Sequence, residues 1–251
     1  PRVPEDAAYT LLAWNDLGMH CVSDSDPWFV VLPPANTLEA VLIKRDASPE
    51  IVHEGVRLTY ALDPQHAHPS RHSRFWEFTE PLLGKELPLD VGLSGKGARG
   101  AMAWSEEGRV FAAPHLPVMP YRDDGGFDPF PLVTIEAHDA VSGELLASTR
   151  AVLPVSTEMG CRSCHGGGWR KGSAGVSDDT ARAILAAHDR DTGTTLLADA
   201  RSGRPRLCQA CHADVALGAA GQPGRLSLSA AVHGFHAGVM PLQGSAACAA
   251  C

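Results

Sequence analysis

Hydrophobic and polar positions alternate through the first 155 residues in a way that is typical of β-strands. From Val56 to Leu62 an apolar side chain occupies every second position, which places these side chains on one face of a strand. Further β-rich runs cover residues 37–43, 132–137 and 144–152. The last two runs flank a polar hairpin loop at residues 139–143. Prolines such as Pro114 interrupt the runs and predict short strands. This half is therefore predicted to form an all-β, sandwich-like domain.

The pattern changes to a helical period near residue 177. Ser177 and the two aspartates that follow it are typical of a helix N-terminus. Residues on one face of this helix then recur at spacings of three and four, at Ala181, Ile184, Leu185 and His188. A second short helix with a serine cap is predicted over residues 227–236. Glycine-rich stretches surround these helices, so this part of the chain is predicted to be loop-rich and partly α-helical.

Charge and cysteine content divide the chain at the same point. Residues 1–155 carry 12 Lys and Arg against 22 Asp and Glu, whereas residues 156–251 carry 9 against 7 and hold six of the seven cysteines. We therefore predict one domain over residues 1–155 and a second over residues 156–251. The net charge of −8 argues against nucleic acid as a partner. No run of 18 apolar residues is present, so no transmembrane segment is predicted.

Two cysteine motifs in the second domain carry the most specific chemistry of the sequence. The first motif consists of Cys161, Cys164 and His165, and the second motif consists of Cys208, Cys211 and His212. The C-x-x-C-H spacing is the signature of c-type haem attachment. Two thiols one helical turn apart can form thioethers with one porphyrin, and the next residue can offer an imidazole to the iron from the same face. Both motifs therefore predict covalent haem c with the histidine as proximal ligand.

A third cysteine pair, Cys248 and Cys251, has the same spacing, but no histidine follows it in the sequence. We interpret this pair as a haem motif within which the sequence stops, so three haems are expected and the third site is incomplete. Cys21 is then the odd cysteine. It is interpreted as a small buried hydrophobe, with a partner outside this sequence as the alternative.

Other uses of paired cysteines stay open beside haem. Zinc can bind four cysteine or histidine ligands, but it does not require the histidine that stands directly behind both motifs. Disulfides and thioredoxin-like redox pairs are the remaining alternatives, and the latter expect one motif in a βαβ setting. Haem is the preferred interpretation. It predicts a periplasmic or extracellular protein, because c-type haem is attached outside the cytoplasm.

Several of the remaining histidines are candidates for the second axial ligand of each iron. His188 ends the apolar face of the first predicted helix, and an interaction with the helix dipole is its alternative role. His233 and His236 are three residues apart and therefore lie on nearly the same side of the second helix. Gly234 between them permits the close approach of a flat porphyrin. These three histidines are the preferred distal ligands.

The N-terminal domain offers one further candidate ligand and two polar loops. His20 is the leading candidate there, and the thioethers of Met19 and Met240 are alternatives. A histidine-rich segment contains His66, His68 and His72. It is interpreted as a solvated loop, and incidental binding of a divalent metal is the alternative. An acidic turn contains Asp123, Asp124 and Asp128 and could hold Ca²⁺. It lacks the EF-hand spacing, so a solvated turn is the preferred interpretation.

Short segments along the chain add a second kind of signal to the haem motifs. They are WNDLGMHC at residues 14–21, FWEF at 75–78, LDVGL at 89–93, LPVS at 153–156, RLCQACH at 206–212 and SAAVHGFH at 229–236. With them the chain resembles a group of secreted multihaem c-type cytochromes of metal-reducing and other anaerobic bacteria. The resemblance spans nearly the whole chain and departs from the pattern at the third pair. It implies electron transfer through closely packed bis-histidine haems and, for extracellular members, assembly into filaments.

Electron transfer to other redox proteins or to extracellular acceptors is therefore the expected function, rather than an enzymatic one. A multihaem reductase of small nitrogen or sulfur oxyanions, with one open haem site, is the alternative. Four cationic residues near the first motif could attract such anions, namely Arg162, Arg170, Lys171 and Arg182. Pairing of these residues with haem propionates is the preferred interpretation. Candidate histidines outnumber the irons, which favours six-coordinate iron. Self-assembly into a filament is compatible with electron transfer.

Overall fold

The computed structural model describes residues 7–16, 18–24, 27–157, 161, 165–166, 175–240, 244 and 246. This part of the chain consists mostly of β-sheets with few helices, as the alternating pattern predicts. The strands are β1 (Tyr9–Asn15), β2 (His20–Cys21), β3 (Ser23–Asp24), β4 (Phe29–Leu32), β5 (Asn36–Lys44), β6 (Glu50–Ile51), β7 (Val56–Leu62), β8 (Arg99–Ala101), β9 (Ala103–Ser105), β10 (Val110–Leu116), β11 (Leu132–Asp139), β12 (Leu145–Val152), β13 (Val155–Ser156) and β14 (Arg206–Leu207). The helices are α1 (Thr79–Leu83), α2 (Asp178–Thr192), α3 (Leu196–Arg201) and α4 (Leu228–Val239).

The chain forms two compact units that do not follow the order of the sequence. Unit 1 comprises Pro1–His20, Pro34–Pro69 and Asp90–Val155, and unit 2 comprises Cys21–Pro33, Ser70–Leu89 and Ser156–Cys251. The last crossing from unit 1 to unit 2 lies between Val155 and Ser156, where charge and cysteine content change. Two earlier segments of the N-terminal half belong to unit 2. One of them carries β4, which pairs in parallel with β14.

Unit 1 contains two antiparallel sheets. Its five-stranded sheet has the order β1-β5-β10-β9, with β6 paired to β5, and its four-stranded sheet has the order β12-β11-β7-β8. Every second side chain of β5, β7 and β11 is buried, and the fully buried ones include Leu38, Leu42, Leu58, Val133 and Ile135. The strands predicted from the period of two are therefore confirmed, because burial of one face selects apolar residues at alternate positions.

The hairpin expected at residues 139–143 connects β11 to β12. The Asp139 carboxylate accepts hydrogen bonds from the N–H groups of Val141 at 3.0 Å and Ser142 at 2.7 Å. Gly143 adopts a φ of 75°, a left-handed conformation that glycine adopts without a steric cost. The aspartate and the glycine together close the turn, so the polar composition of this loop has a direct structural role.

Strand β10 continues through Pro114, where the sequence predicted an interruption. Its register against β5 shifts between Ala113 and Leu116, which marks a bulge. His115 within the bulge has a φ of 56°. Proline has no N–H to donate to a neighbouring strand. The bulge accommodates it, because the regular ladder of hydrogen bonds is suspended at that point.

Unit 2 contains the capped helix predicted near residue 177. The Ser177 hydroxyl accepts a hydrogen bond from the Thr180 N–H at 3.3 Å, and the helix ends at Gly193 with a φ of 70°. Its apolar face joins a cluster formed by Phe29, Val176, Ala181, Leu185 and Ala200, against which Cys161 packs. Among the described residues, no helix has both the length and the apolar character needed to cross a membrane.

We predict that Ile135→Ala destabilises unit 1 strongly. Ile135 is fully buried in β11, and deletion of a large aliphatic side chain from a packed core costs about 2–5 kcal/mol because a cavity remains. Urea denaturation would measure the change. The matched control is Val141→Ala in the adjoining loop, where the side chain is 96% exposed and the expected change is within about 0.5 kcal/mol. Equal effects of the two substitutions would contradict the assigned core.

Candidate functional site

The two C-x-x-C-H motifs share one backbone hydrogen bond. In the first motif the His165 N–H donates to the Cys161 carbonyl at 3.0 Å, and in the second the His212 N–H donates to the Cys208 carbonyl at 3.0 Å. A hydrogen bond between residues four apart closes one helical turn. The first cysteine and the histidine of each motif therefore lie on the same side of the backbone, which is the geometry that attachment to one porphyrin requires.

The second motif is fixed to the body of unit 2 by its first intervening residue. The buried Gln209 side chain donates from Nε2 to the Val31 carbonyl at 2.7 Å and to the Asp214 carboxylate at 2.8 Å. Asp214 also accepts from the Ala216 N–H at 2.8 Å. Gln209 thus joins the motif turn to strand β4 and to the loop that follows the motif. Sequence reasoning missed this residue, because both of its partners are polar atoms outside the motif.

His212 is held in one tautomer. Its Nδ1 lies 2.8 Å from the Leu226 carbonyl oxygen. A carbonyl oxygen can only accept, so Nδ1 carries the proton and Nε2 keeps its lone pair. Histidine ligands of metals are commonly oriented by donation from the other ring nitrogen to a carbonyl. His212 is therefore prepared to bind a metal through Nε2.

The two histidines of α4 have the same preparation. His233 Nδ1 lies 2.8 Å from the Ser229 carbonyl oxygen, and His236 Nδ1 lies 2.6 Å from the Val232 carbonyl oxygen. Both imidazoles therefore donate to the preceding turn of their own helix and keep the lone pair on Nε2. Apart from the neighbouring residues of its own helix, no described atom lies close to Gly234 on the side where a side chain would project. The helix predicted at this position is confirmed, with Ser227 as its N-cap.

His188 lies near the C-terminal end of α2 and is half-buried. Burial lowers the pKa of the His188 imidazole. Among the neighbouring charges, Asp189 opposes this shift, whereas His212 and Arg225 lower the pKa further. The predicted proximal ligand His212 is therefore one of the groups that perturb the predicted distal ligand His188.

The histidine of the first motif is also perturbed by its surroundings. Burial lowers the pKa of His165, and an electrostatic interaction with His236 lowers it further. His236 is one of the predicted distal ligands, whereas His165 is the predicted proximal one.

His20 occupies a different unit from these histidines. It is buried in strand β2, and its N–H donates to the Pro154 carbonyl at 3.1 Å within unit 1. The neighbouring Met19 is 46% exposed.

None of the described cysteines forms a disulfide; these cysteines are Cys21, Cys161, Cys208 and Cys211. Burial raises the pKa of Cys208 to about 12, and the neighbouring Cys211 adds to the shift. Burial also raises the pKa of Cys21. Within the described ranges, no group of three or more His, Cys, Asp or Glu side chains is arranged to hold a metal ion. Three predicted attachment residues lie outside those ranges, namely Cys164, Cys248 and Cys251.

The histidine-rich segment and the acidic turn bind each other in unit 1. His66 Nε2 lies 3.2 Å from the Asp128 carboxylate, and His68 Nδ1 lies 2.5 Å from the Asp123 carboxylate. Two of the three carboxylates of the acidic turn therefore bind histidines, and the third, Asp124, accepts from the Gly126 N–H at 2.8 Å. These contacts favour the structural role of the turn over Ca²⁺ binding.

The prediction of a solvated histidine loop is wrong for two of its three histidines. His66 and His72 are buried, and each exposes only 5% of its surface. Two short 3₁₀ turns, Pro64–His66 and Pro69–Arg71, fold the segment against its surroundings. The polar composition was misleading because the partners of this segment are far away in the sequence.

The cationic residues near the first motif do not form a described anion site. Arg182 lies over the Trp28 ring at 5.3 Å and forms an ion pair with Asp179. The other three predicted cations lie outside the described residues, namely Arg162, Arg170 and Lys171. The alternative of an oxyanion reductase therefore gains no support from Arg182, which is already occupied by an aromatic ring and a carboxylate.

Comparison with known proteins adds no relative to this description. No known protein family matches the chain, and no curated protein or solved structure matches it either. The interpretation of the site therefore depends on the geometry of its residues and on the chemistry of their donor atoms.

We predict that Gln209→Ala loosens the second motif. The substitution removes two hydrogen bonds and leaves the Val31 carbonyl and the Asp214 carboxylate less satisfied, at a cost of about 1–3 kcal/mol. Urea denaturation of the full chain would measure this loss. Gln222→Ala is the matched control, because Gln222 is exposed and is expected to change stability by less than about 0.5 kcal/mol. A Gln209→Ala protein as stable as the control would contradict the anchoring role.

Proposed function

We propose that the protein is an electron-transfer cytochrome whose second unit binds haem c covalently through its C-x-x-C-H motifs. The observation that carries this proposal is one backbone hydrogen bond that the two motifs share, in which the histidine N–H donates to the first cysteine carbonyl at 3.0 Å. The recurrence of this contact at two separate places in the sequence supports one shared chemical role. Bound haem would supply a one-electron iron centre to the protein.

The residues fit this group by the chemistry of their donor atoms. The attachment thiols would be Cys161 and Cys164, Cys208 and Cys211, and Cys248 and Cys251 of the third pair. His165 and His212 would be the proximal ligands. The Leu226 carbonyl accepts a hydrogen bond from His212 Nδ1. The proton therefore lies on Nδ1, and the lone pair of Nε2 would be available to iron.

The distal candidates favour electron transfer over catalysis. His233 and His236 each keep Nε2 available, because Nδ1 donates to the preceding helical turn. With His188 they provide a second imidazole for each iron, which leaves no open coordination position. Six-coordinate iron exchanges electrons without binding a substrate, so the reductase alternative is not favoured. His20 remains the candidate from unit 1.

Exposed apolar side chains near the motifs support a large flat ligand. Four apolar residues of this region are 49–98% exposed, namely Val215, Leu226, Phe235 and Val239. Only Leu228 of the twelve residues of α4 is buried. A helix of this length is marginal in water without packing. A porphyrin placed against α4 would bury such surface and thereby stabilise the helix.

The proposal extends to the setting in which the protein works. Unit 1 would form a β-sandwich from its two antiparallel sheets and support the haem-binding unit. Covalent haem c attachment would take place outside the cytoplasm, so the protein would be periplasmic or extracellular. Its partners would be other redox proteins or extracellular electron acceptors. Self-assembly would extend the path of electrons between subunits.

We predict that the double substitution Cys208→Ser and Cys211→Ser removes one covalent haem from the full chain. The chain would be produced in a host that attaches haem c, and haem would be counted from a denatured sample as the ratio of haem to protein. Both thioethers of the second site are lost in this variant, whereas the matched control Cys21→Ser should keep the full number.

Two outcomes would contradict the proposed function. The first is a wild-type protein without covalent haem under these conditions. The second is a wild-type ferric spectrum of high-spin iron, because it would show an open site and would favour the reductase alternative.

A further inference from the structure

We propose that unit 1 binds a small dianion with carboxylate or phosphate oxygens in a cavity between Arg99 and Arg150. The cavity has a volume of about 280 Å³ and lies on the outer face of the four-stranded sheet. Ala61, Asp63 and Thr134 line it together with the two arginines. This inference is independent of the haem proposal, because all of these residues belong to unit 1.

A single row of paired residues crosses the sheet at the cavity. Arg150 of β12 pairs with Thr134 of β11, and Thr134 pairs with Ala61 of β7. Ala61 pairs in turn with Arg99 of β8. Directly paired residues on neighbouring strands project to the same face of a sheet. The row therefore has an arginine at each end and two short side chains between them.

The side chains of this row point away from the core of unit 1. Val133 and Ile135, the neighbours of Thr134 along β11, are fully buried, and successive side chains of a strand point to opposite faces. Ala61 and both arginines are correspondingly exposed. A ligand can therefore reach the row from solvent.

The spacing of the row allows both arginines to bind one ligand. Three strand-to-strand intervals separate β12 from β8, which corresponds to about 14 Å between the two backbones. Arginine has a long side chain that ends in a planar fork of N–H donors. Only short side chains lie between the arginines, so both forks can turn toward the middle of the row. The Thr134 hydroxyl offers a further donor there.

The positive charges of the cavity are not neutralised by the protein. Within the described part of the chain, neither Arg99 nor Arg150 forms an ion pair with a carboxylate. Carboxylates are nevertheless abundant, since the first 155 residues contain 22 Asp and Glu against 12 Lys and Arg. Arg122 of the same unit, for example, binds Asp124 at 3.4 Å. Two guanidinium groups that line one cavity without a carboxylate partner provide a site for two negative charges.

Two carboxylates on this side of the sheet are engaged with other partners. Asp63 lines the cavity, but its Oδ1 accepts from the Gln65 N–H at 2.9 Å. Glu136 occupies the next row of the same face, and its Oε2 lies 3.2 Å from His138 Nε2. Neither carboxylate therefore takes the place of a ligand between the arginines.

The size of the cavity and its donors determine the class of ligand. A volume of about 280 Å³ lies just below the range of about 300–1,000 Å³ that is typical of sites for drug-sized molecules, so a small ligand is expected. An arginine fork donates two parallel hydrogen bonds to a carboxylate or a phosphate. Two forks thus favour an anion with two charges over a monovalent one.

The test is a calorimetric titration of the full chain with phosphate and, separately, with succinate at constant ionic strength. At least one of these dianions should bind once per chain with a Kd below about 1 mM. Acetate is the monovalent comparison and should bind at least about tenfold more weakly. Binding of phosphate alone assigns a phosphate ligand to the cavity, and binding of succinate alone assigns a dicarboxylate.

Substitution of the arginines locates the binding site. Arg99→Gln and Arg150→Gln should each weaken binding of the dianion at least about tenfold, because charge-assisted hydrogen bonds are lost. Arg57→Gln is the matched control. Arg57 lies on the same face of β7 but does not line the cavity, so its loss removes the same charge and should leave the affinity unchanged.

A substitution that keeps every charge provides a second, independent test. Ala61→Leu fills the middle of the row and should prevent binding, whereas the fold should tolerate it because Ala61 is exposed. Three results would overturn the proposal. They are no binding of either dianion below about 1 mM, an affinity that neither arginine substitution changes, and a loss in Arg57→Gln as large as in Arg99→Gln and Arg150→Gln.

Discussion

The hydrogen bond from the histidine N–H of each motif to the carbonyl of its first cysteine is the interaction on which the candidate site depends. It closes one helical turn in both motifs, and it places a thiol and an imidazole on one side of the backbone. Two further contacts hold the second motif, because Gln209 anchors this segment to strand β4 and the Leu226 carbonyl orients the His212 imidazole.

Local patterns in the sequence predicted the elements whose determinants are themselves local. Burial of alternate side chains explains the strands around Leu58 and Ile135, and the Ser177 cap explains the start of α2. The C-x-x-C-H spacing predicted a helical turn because it involves only five consecutive residues. Strand β10 escaped prediction because Pro114 ordinarily interrupts a strand, and only its position at a bulge allows the strand to continue.

Features that depend on distant partners could not be predicted from local patterns. His66 and Asp128 are 62 residues apart, and nothing in either loop identifies the other. Membership of unit 2 is equally remote, since β4 joins it by pairing with β14. The same limit applies to the predicted distal histidines. Composition and spacing suggest the candidates His188, His233 and His236, whereas the iron that each would serve depends on residues far away in the sequence.

A haem bound beside α4 would give that helix apolar contacts, since only Leu228 of its residues is buried in the described chain. The exposed apolar residues of α4, among them Phe235 and Val239, would then be covered only when haem is bound. Folding of unit 2 and attachment of haem would in that case be coupled, because binding to the folded state alone stabilises that state.

The intact mass of the full chain under denaturing conditions is the most direct measurement of the central claim. For protein produced in a host that attaches haem c, the account predicts the polypeptide mass plus at least two haems, each of about 0.6 kDa. The added mass must persist after unfolding, since thioether bonds do not depend on the fold. A mass equal to that of the polypeptide alone would contradict the account.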